Sequence, residues 1–348
     1  MNTFYRGKNI LVTGDTGFKG SLLCLALSQF GANVYGYGLP MEEDESLNSI
    51  LNMNQLIHHT DGDIRDINNL ERIFKIAKPE IVFHLAAQPL VRKSYADPVY
   101  TYETNVLGTL YICECVRRSN SVKSFVNVTT DKVYANDENT IAFTEDMPLN
   151  GRDPYSNSKS CSELITSSYN TSFFKNKMIP VSTVRAGNVI GGGDFALDRI
   201  VPDCYRAATK SEKIVIRNPY SVRPYQHVYE ALRVYMMIAE KQYKNYEFSG
   251  VYNVGPDFES CLETGKLADM FCRFWGENQE WINEYDGGPF ESKVLRLDNT
   301  KLKQTFGWTS HINITEAIRM TVEWYKNYNS GEDMRKYTIK EMKELHLI

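Results

Sequence analysis

The sequence predicts an α/β fold, a doubly wound parallel sheet of the Rossmann type followed by a smaller C-terminal substrate-binding domain. Strand-like apolar runs alternate with helix-like segments over the first half of the chain, as in a parallel sheet covered on both faces. A glycine-rich turn joins the first run to the first helix. With 348 residues the chain is also long for one hydrophobic core. We expect residues 1–190 to form the sheet domain and residues 191–348 mainly the second domain, partly interleaved with the first.

The predicted strands are short, rich in β-branched residues and bounded by glycine or polar residues. They cover residues 9–14, 32–38, a stretch that ends near 61–66, 80–87, 124–130 and 178–191. Apolar residues at helical spacing predict helices over 21–31, 67–77, 99–119 and 156–174. After about residue 190 the alternation becomes irregular, and the charged tail predicts a peripheral helix.

Composition narrows the class of protein. Hydrophobic residues make up 42% and charged residues 24% of the chain, which is ordinary for a globular protein. A net charge of -4 gives no long-range attraction for nucleic acid. The sequence contains neither an apolar run long enough to cross a bilayer nor a signal-peptide pattern. We therefore expect a cytoplasmic protein without nucleic-acid or membrane partners.

Neither disulfides nor a metal site are predicted. The seven cysteines are scattered without paired spacing, so we expect buried free thiols in a reducing compartment. His58 and His59 are adjacent but lack partners at metal-ligand spacing, and they are expected at the surface. The chemistry of the chain must then come from other side chains or from an organic cofactor.

Residues 14–20, with the sequence GDTGFKG, directly follow the first predicted strand and open the first helix. Glycines at this spacing allow a tight turn and a close approach of the backbone to a pyrophosphate, which then faces a helix N-terminus. A glycine-rich turn without a ligand is the alternative, but the strand–turn–helix context favours a dinucleotide site. The residues expected to contact the dinucleotide here are Gly14, Thr16, Gly17, Phe18, Lys19 and Gly20.

The sequence gives weaker indications for the residues that bind the adenosine end of the dinucleotide. Asp63 and Ile64 end the third predicted strand, where the aspartate suits the adenine amino group, although it would equally suit a helix N-cap. The second strand ends with Tyr37 and Gly38, and Leu39 and Pro40 follow, so neither an acid nor a base stands there. The acidic run 42–44 comes next and would repel the 2′-phosphate of NADP. NAD is therefore the predicted cofactor.

Tyr155 and Lys159 are four residues apart on a predicted helix, so both side chains project from one face. An ammonium beside a phenol stabilises the phenolate, and we expect it to lower the pKa of Tyr155 toward the working range. Thr129 or Thr130, at the tip of the fifth strand, would bond the substrate hydroxyl. The alternative is an exposed Tyr and Lys on an amphipathic helix. The position of the pair downstream of a dinucleotide loop favours a redox centre.

Together these motifs resemble the extended short-chain dehydrogenases/reductases, over nearly the whole chain. The resemblance implies a tightly bound NAD and a C-terminal domain that binds a nucleotide sugar. It also implies a homodimer, or a dimer of dimers, formed through the helices 99–119 and 156–174. Through the segment HLAAQPLVRKSY (84–95) it places Leu85, Ala86 and Ala87 at the cofactor, and Gln88 and Ser94 in the sugar pocket.

Within that family, Thr130-Asp131-Lys132 resembles the signature of nucleotide-sugar 4,6-dehydratases. Such enzymes oxidise C4, eliminate water across C5–C6 and return a hydride to C6. Asp131, if protonated, would donate to the departing C6 hydroxyl. Lys132 stands where many members carry Glu and would remove the C5 proton, given a pKa lowered by burial and by Lys159. The alternative is that Asp131 caps a turn and Lys132 is solvated.

Several further segments are similar to those of CDP-glucose 4,6-dehydratases, which favours a CDP-hexose as substrate. They are VTTDKVYAN (128–136), DPYSNSKSCSEL (153–164), RAGNVIGGGDFALDRIVPD (185–203) and IRNPYSVRPYQHV (216–228). The residues expected to hold the nucleotide sugar are Asn188, Arg199, Arg217, Arg223 and His227, and Tyr220 and Tyr225 are candidates to stack on its base. Asp15 departs from the resemblance, because such enzymes often carry His there, and an acid beside the pyrophosphate disfavours cofactor binding.

Other functions stay open at this point. A 4,6-dehydratase for another nucleotide sugar would use the same residues. A nucleotide-sugar 4-epimerase would share the Tyr–Lys pair but would need no acid and base at C5 and C6. A non-catalytic protein that senses the redox state through its dinucleotide would need none of Thr130, Tyr155 and Lys159.

Overall fold

A computed structural model describes residues 3–40, 46–138, 141–288 and 292–348. Its strands are β1 (Asn9–Thr13), β2 (Asn33–Gly38), β3 (His58–Asp61), β4 (Ile81–His84), β5 (Ser124–Thr130), β6 (Val181–Ala186), β7 (Val189–Ile190), β8 (Ile214–Ile216), β9 (Val222–Pro224), β10 (Gln226–His227), β11 (Val251–Val254), β12 (Cys261–Glu263) and β13 (Trp281–Asn283). Its helices are α1 (Phe18–Gln29), α2 (Leu47–Ile50), α3 (Ile67–Ala77), α4 (Val91–Ala96), α5 (Pro98–Tyr102), α6 (Gly108–Arg118), α7 (Pro154–Tyr169), α8 (Ile200–Thr209), α9 (Val228–Lys244), α10 (Thr264–Trp275), α11 (Thr300–Phe306), α12 (Ile314–Asn329) and α13 (Met334–Glu344).

The predicted doubly wound sheet is confirmed. Within the described residues, seven strands form one sheet in the order β11-β6-β5-β4-β1-β2-β3, and every neighbouring pair is parallel. The chain runs outward from β1 to β3 and then starts again on the other side of β1 with β4. Ligands of such sheets bind at the carboxyl ends of the strands where the order reverses, here at β1 and β4.

Each face of the sheet is covered by its own hydrophobic core. One core packs α1, α9 and the C-terminal helices against the sheet, and the other packs α3, α6 and α7. Burial on both faces explains why the predicted strands are continuous apolar runs, and β5 is buried along its whole length. The predicted helix 67–77 and strand 124–130 have the predicted bounds.

Two long predicted elements are interrupted. The segment 99–119 consists of α5, a π-helical turn over Glu103–Leu107, and α6. In this turn the side chain of Asn105 bonds both backbone groups of Gln88 and the hydroxyl of Ser158, which are contacts that a helical pattern in sequence does not reveal. The predicted strand 178–191 is likewise split into β6 and β7.

The residues after 190 build a second, less regular region and also return to the sheet. Short two-stranded ladders join β7 with β10, β9 with β12 and β8 with β13. The strand β11, which the sequence did not predict, completes the edge of the large sheet next to β6. The division of the chain at residue 190 stays a prediction, but β11 agrees with interleaving.

None of the described helices is both long and apolar enough to cross a membrane. The charged tail forms α13, whose Met334 and Met342 are buried in the core. All cysteines lie within the described ranges and are free thiols, of which Cys24, Cys113, Cys115 and Cys204 are buried.

Candidate active site

The glycine loop lies between β1 and α1, at the carboxyl edge of the sheet. Gly14 has a φ of 73°, and a Cβ atom there would lie 2.8 Å from the Cα atom of Ala86. A Cβ atom on Gly20 would lie 2.0 Å from the backbone oxygen of Gly14. Only glycine fits these close approaches, so the loop is tightly folded against the segment that follows β4.

The N-terminus of α1 is available to an anion. Its N-cap is Gly17, which has no side chain that could cap the helix. The first turn of α1 holds no acidic residue. Free backbone N–H groups and the helix dipole therefore face the loop, so these residues fit the pyrophosphate of a dinucleotide. The side chain of Lys19 reaches into the neighbouring cleft, where burial and the cations of Arg199 and Lys159 lower its pKa to about 8.

Asp15 lies differently from the expectation. Its carboxyl is fully buried below the loop, where Oδ2 is 2.6 Å from Nδ1 of His59. The bond to this carboxyl raises the pKa of His59 to about 9, so a cation compensates the acid. The surface placement of His59 is therefore wrong, because its ring packs against Asp15 with 15% of the side chain exposed, whereas His58 is exposed.

Asp63 and Ile64, the residues predicted to contact adenine, both contact other residues of the protein. Asp63 pairs with Arg65, whose Nε lies 3.1 Å from both carboxylate oxygens, and this pairing lowers the pKa of Asp63. Ile64 is buried against Gly108. Their contact with adenine stays a prediction. The acidic run 42–44, on which the choice of NAD partly rested, lies outside the described residues.

Tyr155 and Lys159 both lie buried on the same face of α7. The carboxylate of Asp153 caps this helix by accepting from the N–H of Ser156, 2.9 Å away, which fixes where the helix begins. Burial lowers the pKa of Lys159 to about 8. The predicted lowering of the Tyr155 pKa is wrong in this structure. Burial raises it to about 12, which outweighs the opposing hydrogen bond with Thr130.

The tip of β5 separates the two candidate threonines. Thr129 donates to Oε1 of Glu163 over 2.6 Å and is used structurally, which leaves Thr130 beside Tyr155. Thr130 donates to Oδ1 of Asp131 over 3.0 Å. The other oxygen of Asp131, Oδ2, is buried and has no hydrogen-bond partner among the described residues. The ammonium of Lys132 lies 3.4 Å from Oδ1 of Asp131.

Glu163 is a site residue that the sequence analysis missed. It lies one turn beyond Lys159 on α7 and opposes the effect of burial on the pKa of that lysine. Arg185 on β6 holds it with Nε 2.9 Å and Nη2 2.6 Å from Oε2, and both side chains are buried. The spacing of four residues from Lys159 is the sequence signal that would have indicated it.

A cleft of about 370 Å³ opens beside these groups. Among its lining residues are the predicted Lys19, Thr130, Asp131, Lys132, Tyr155, Asn188, Arg199, Arg217 and Arg223. Arg199 pairs with Asp194 over 2.7 Å, and Arg217 pairs with Asp198 over 2.7 Å. The side-chain oxygen of Asn188 is buried without a partner in the part of the chain that is described. The cleft thus offers cations and an acceptor to a ligand.

Two predicted substrate residues, Gln88 and Ser94, use their polar groups within the protein. Gln88 is buried and its side chain bonds Thr101 and the backbone of Leu90. Ser94 is buried and donates to the backbone oxygen of Val91. The polar groups of both side chains therefore form hydrogen bonds inside the protein, which their positions in the sequence do not show.

His227 and the two tyrosines are also distinguished by the fold. His227 is buried and caps α9 by accepting from the N–H of Tyr229, and burial lowers its pKa to about 3. In this structure His227 is therefore a neutral helix cap, and its contact with the nucleotide sugar stays a prediction. Tyr225 lines the cleft and its hydroxyl bonds Thr264, whereas Tyr220 is 75% exposed.

The mouth of the cleft carries a charge cluster that the sequence analysis missed. Arg92 lies 2.5 Å from Asp286 and 3.7 Å from Asp198, and Asp198 also binds Arg217. Arg92 belongs to the segment 84–95, so its position in that motif was the available signal. No pattern in the sequence indicated Asp286, which is far from Arg92 along the chain.

A glycine loop at a helix N-terminus, with a buried Tyr–Lys pair beside the tip of the central strand β5, defines a short-chain dehydrogenase/reductase. The family model described as GDP-mannose 4,6 dehydratase matches residues 11–321. The chain therefore belongs to this family of nucleotide-sugar dehydratases. The predicted family and its enzyme class are confirmed.

Individual relatives agree with this assignment. The chain is 43% identical over 337 residues to a CDP-glucose 4,6-dehydratase of Salmonella typhimurium, which covers 95% of this chain and 94% of that protein. It is 28% identical to a dTDP-D-glucose 4,6-dehydratase of Dictyostelium discoideum, covering 92% of this chain and 82% of the relative.

Solved structures share the fold at lower identity. A UDP-glucose 4-epimerase of Thermotoga maritima with UDP-glucose superposes with a TM-score of 0.80 at 24% identity, covering 92% of this chain and 99% of that one. A dTDP-glucose 4,6-dehydratase of Bacillus anthracis in complex with NAD superposes with a TM-score of 0.77 at 22% identity, covering 93% and 98%. At these identities the likeness concerns the fold alone.

Proposed function

We propose that this chain is a CDP-glucose 4,6-dehydratase, which converts CDP-glucose into a CDP-4-keto-6-deoxyhexose for deoxysugar and surface polysaccharide synthesis. The observation that carries the proposal is the carboxyl of Asp131. It is buried at the cleft, bonded by Thr130 and Lys132, and keeps Oδ2 as an unused oxygen among the described residues. The Salmonella typhimurium relative, named for CDP-glucose, supports this choice of nucleotide.

The first task of the site is to oxidise the C4 hydroxyl. Bound NAD supplies reversible two-electron redox chemistry. Gly14, Gly17 and the N-terminus of α1 hold its pyrophosphate. Because burial raises the pKa of Tyr155 to about 12, its phenol first passes its proton toward neutral Lys159, and the phenolate then accepts the proton of the C4 hydroxyl. Thr130 orients the phenol of Tyr155 by a hydrogen bond. Lys159, with a pKa lowered to about 8, takes part in the same proton path.

The second task is elimination of water. A C4 ketone makes the C5 proton acidic, and a base must take that proton while an acid protonates the leaving C6 hydroxyl. Asp131 donates its proton to the C6 oxygen, so that the C6–O bond breaks and water leaves. Transfer of a proton from the ammonium of Lys132 to the carboxylate of Asp131 supplies the acid and leaves the amine, which accepts the C5 proton as the C5–C6 double bond forms. Their side chains lie 3.4 Å apart, which permits the two residues to share a proton between turnovers.

Binding of the nucleotide diphosphate is assigned to the cations of the cleft. Arg199, Arg217 and Arg223 all line it. Guanidinium groups suit a diphosphate because they bond two oxygens at once. The buried oxygen of Asn188, which has no partner among the residues that the structure describes, accepts from a sugar hydroxyl.

Mass spectrometry of the purified chain with NAD and CDP-glucose tests the proposal. Parallel reactions with GDP-, UDP- and dTDP-glucose serve as controls for the base. Loss of one water from the CDP sugar supports reaction and specificity together, and loss from another sugar alone moves the specificity. Unchanged mass with inverted C4 would make the chain a 4-epimerase, and the Asp131–Lys132 pair speaks against that outcome. No turnover with any sugar would favour a redox sensor.

The assembly and location of the enzyme complete the proposal. We infer a cytoplasmic homodimer, or a dimer of dimers, formed through the helices over 99–119 and 156–174. Leu107, Leu164 and Phe173 on these segments are exposed apolar side chains. Light scattering of the purified chain measures its mass, and a monomer would contradict the inference. Charge substitution of Leu164 should then dissociate the dimer.

A further inference from the structure

Two carboxylates meet at the end of β2, although β2 itself ends without one. Dinucleotide folds commonly carry an acid at this point, which accepts from the 2′-hydroxyl of the adenosine ribose. Here β2 ends at Gly38, and Leu39 and Pro40 follow. A Cβ atom on Gly38 would lie 2.8 Å from Oδ1 of Asp15, and the register partner of Gly38 on β3 is Asp61. The acids therefore come from the glycine loop and from β3.

His59 joins these two acids. Its Nδ1 lies 2.6 Å from Oδ2 of Asp15, and its Nε2 lies 3.0 Å from Oδ1 of Asp61. Because both ring nitrogens face carboxylates, both must carry protons for both hydrogen bonds to form, which makes the ring an imidazolium. The pKa of His59, raised to about 9 first by Asp15 and then also by Asp61, agrees with that state. Two carboxylates and one imidazolium leave one net negative charge.

The strand β2 is shaped around this arrangement. A Cβ atom on Gly36 would lie 2.0 Å from Oδ2 of Asp15, so the carboxyl occupies the space that a side chain on β2 would need. The backbone oxygen of Asp15 is held separately, by the hydroxyl of Ser21 at 3.0 Å and the amide of Asn48 at 3.2 Å. The loop thus keeps these anchors when the charges of the side chains are changed.

We propose that Asp15, His59 and Asp61 form a relay that replaces the acid of the second strand and makes the chain select NAD over NADP. The relay places its net negative charge where the 2′-position of the adenosine ribose lies in dinucleotide folds. A 2′-phosphate adds up to about two negative charges and is repelled, whereas a 2′-hydroxyl is not. The inference rests on the dinucleotide site of the proposed function and does not depend on the sugar substrate.

The decisive variant is Asp61→Asn. Asp61 is 66% exposed, so its replacement should leave folding intact, and the asparagine oxygen still accepts from His59. The variant removes one negative charge without removing a hydrogen bond. In isothermal titration of the full chain, we expect the Kd for NADP to fall about tenfold and the Kd for NAD to change less than about threefold.

The opposite variant is His59→Gln, which removes the positive charge and leaves two carboxylates. We expect its Kd for NADP to rise more than its Kd for NAD, so that the preference for NAD becomes stronger. Glu280→Gln removes an equally exposed acid in the C-terminal region and serves as the matched control, with no change in either Kd.

An NADP-to-NAD ratio of Kd values that stays constant in both variants would overturn the proposal. An equal loss of both affinities would overturn it as well, because the residues would then only support the loop. Dehydration of CDP-glucose with NAD, followed by mass spectrometry on the same preparations, separates this failure from failure of the proposed function.

Discussion

The Nζ atom of Lys159 donates a hydrogen bond to the backbone oxygen of Val128, 3.0 Å away. This bond ties the middle of α7 to β5, just before the threonines of the strand tip. It also keeps an ammonium group buried, where the nearby carboxylate of Glu163 opposes the effect of burial on its pKa. The catalytic lysine is thus held where its charged form is disfavoured.

Lys159→Met is expected to abolish turnover and to stabilise the fold. The folded pKa of about 8 lies below that of an unfolded lysine, so the cost of the charge is fully present below about pH 8 and is lost as the pH rises toward about 10. The Tm of the variant should therefore exceed that of the parent by a few degrees at neutral pH, by a margin that shrinks at alkaline pH. Scanning calorimetry measures it, with the exposed Lys266→Met as control. A margin independent of pH would contradict the argument.

Tyr155→Phe should lower the rate of C4 oxidation by about a thousandfold, because no group remains to take the hydroxyl proton. Stopped-flow absorbance of the reduced cofactor measures this step directly. The matched control is Tyr246→Phe. That hydroxyl is also buried without a hydrogen-bond partner among the described residues, but it lies after the C-terminus of α9, so its removal should leave the rate unchanged. Oxidation at the parental rate in Tyr155→Phe would refute the redox assignment.

Lys132→Met should separate oxidation from elimination. Without the base, C4 is still oxidised but the C5 proton is not removed, so reduced cofactor accumulates and turnover falls about a hundredfold. Absorbance of the reduced cofactor and mass spectrometry of the sugar follow the two steps in one sample. Lys213→Met changes an exposed lysine in the C-terminal region as control. Normal water loss in Lys132→Met would assign the base to another residue.

Arg217→Ala should raise the KM for the nucleotide sugar about tenfold with little effect on kcat, since a diphosphate contact serves binding and not chemistry. Asp198→Asn should do the reverse, because Asp198 competes with the diphosphate for this guanidinium over 2.7 Å. Initial rates against substrate concentration distinguish the two. Equal KM values in both variants would place the diphosphate elsewhere.

The parts of the site that could be predicted are those defined by neighbours in sequence. The strand–glycine–helix order placed the loop at 14–20, and the spacing of Tyr155 and Lys159 placed both on one face of α7. These patterns depend on local geometry, which repeats every two or 3.6 residues. The fold class followed from the same alternation.

The parts that could not be predicted depend on distant partners. The hydroxyl of Thr129 donates to Glu163, and the ring of His227 caps α9. The ring of His59 pairs with the carboxyl of Asp15, which is 44 residues away in sequence, and no local pattern indicates this pairing. The pKa of Tyr155 also had the wrong direction, because burial is a property of the whole fold.

The position of strand β11 in the sheet determines which truncated forms of this enzyme can fold. A fragment that stops at residue 190 would contain the whole glycine loop and the Tyr–Lys pair. It would nevertheless leave β6 as an open edge, with the backbone groups that pair with Val251–Val254 exposed, and would strip α9 from the sheet. We expect such a fragment to aggregate on expression, so the nucleotide-binding half is not a module that can be transplanted by itself.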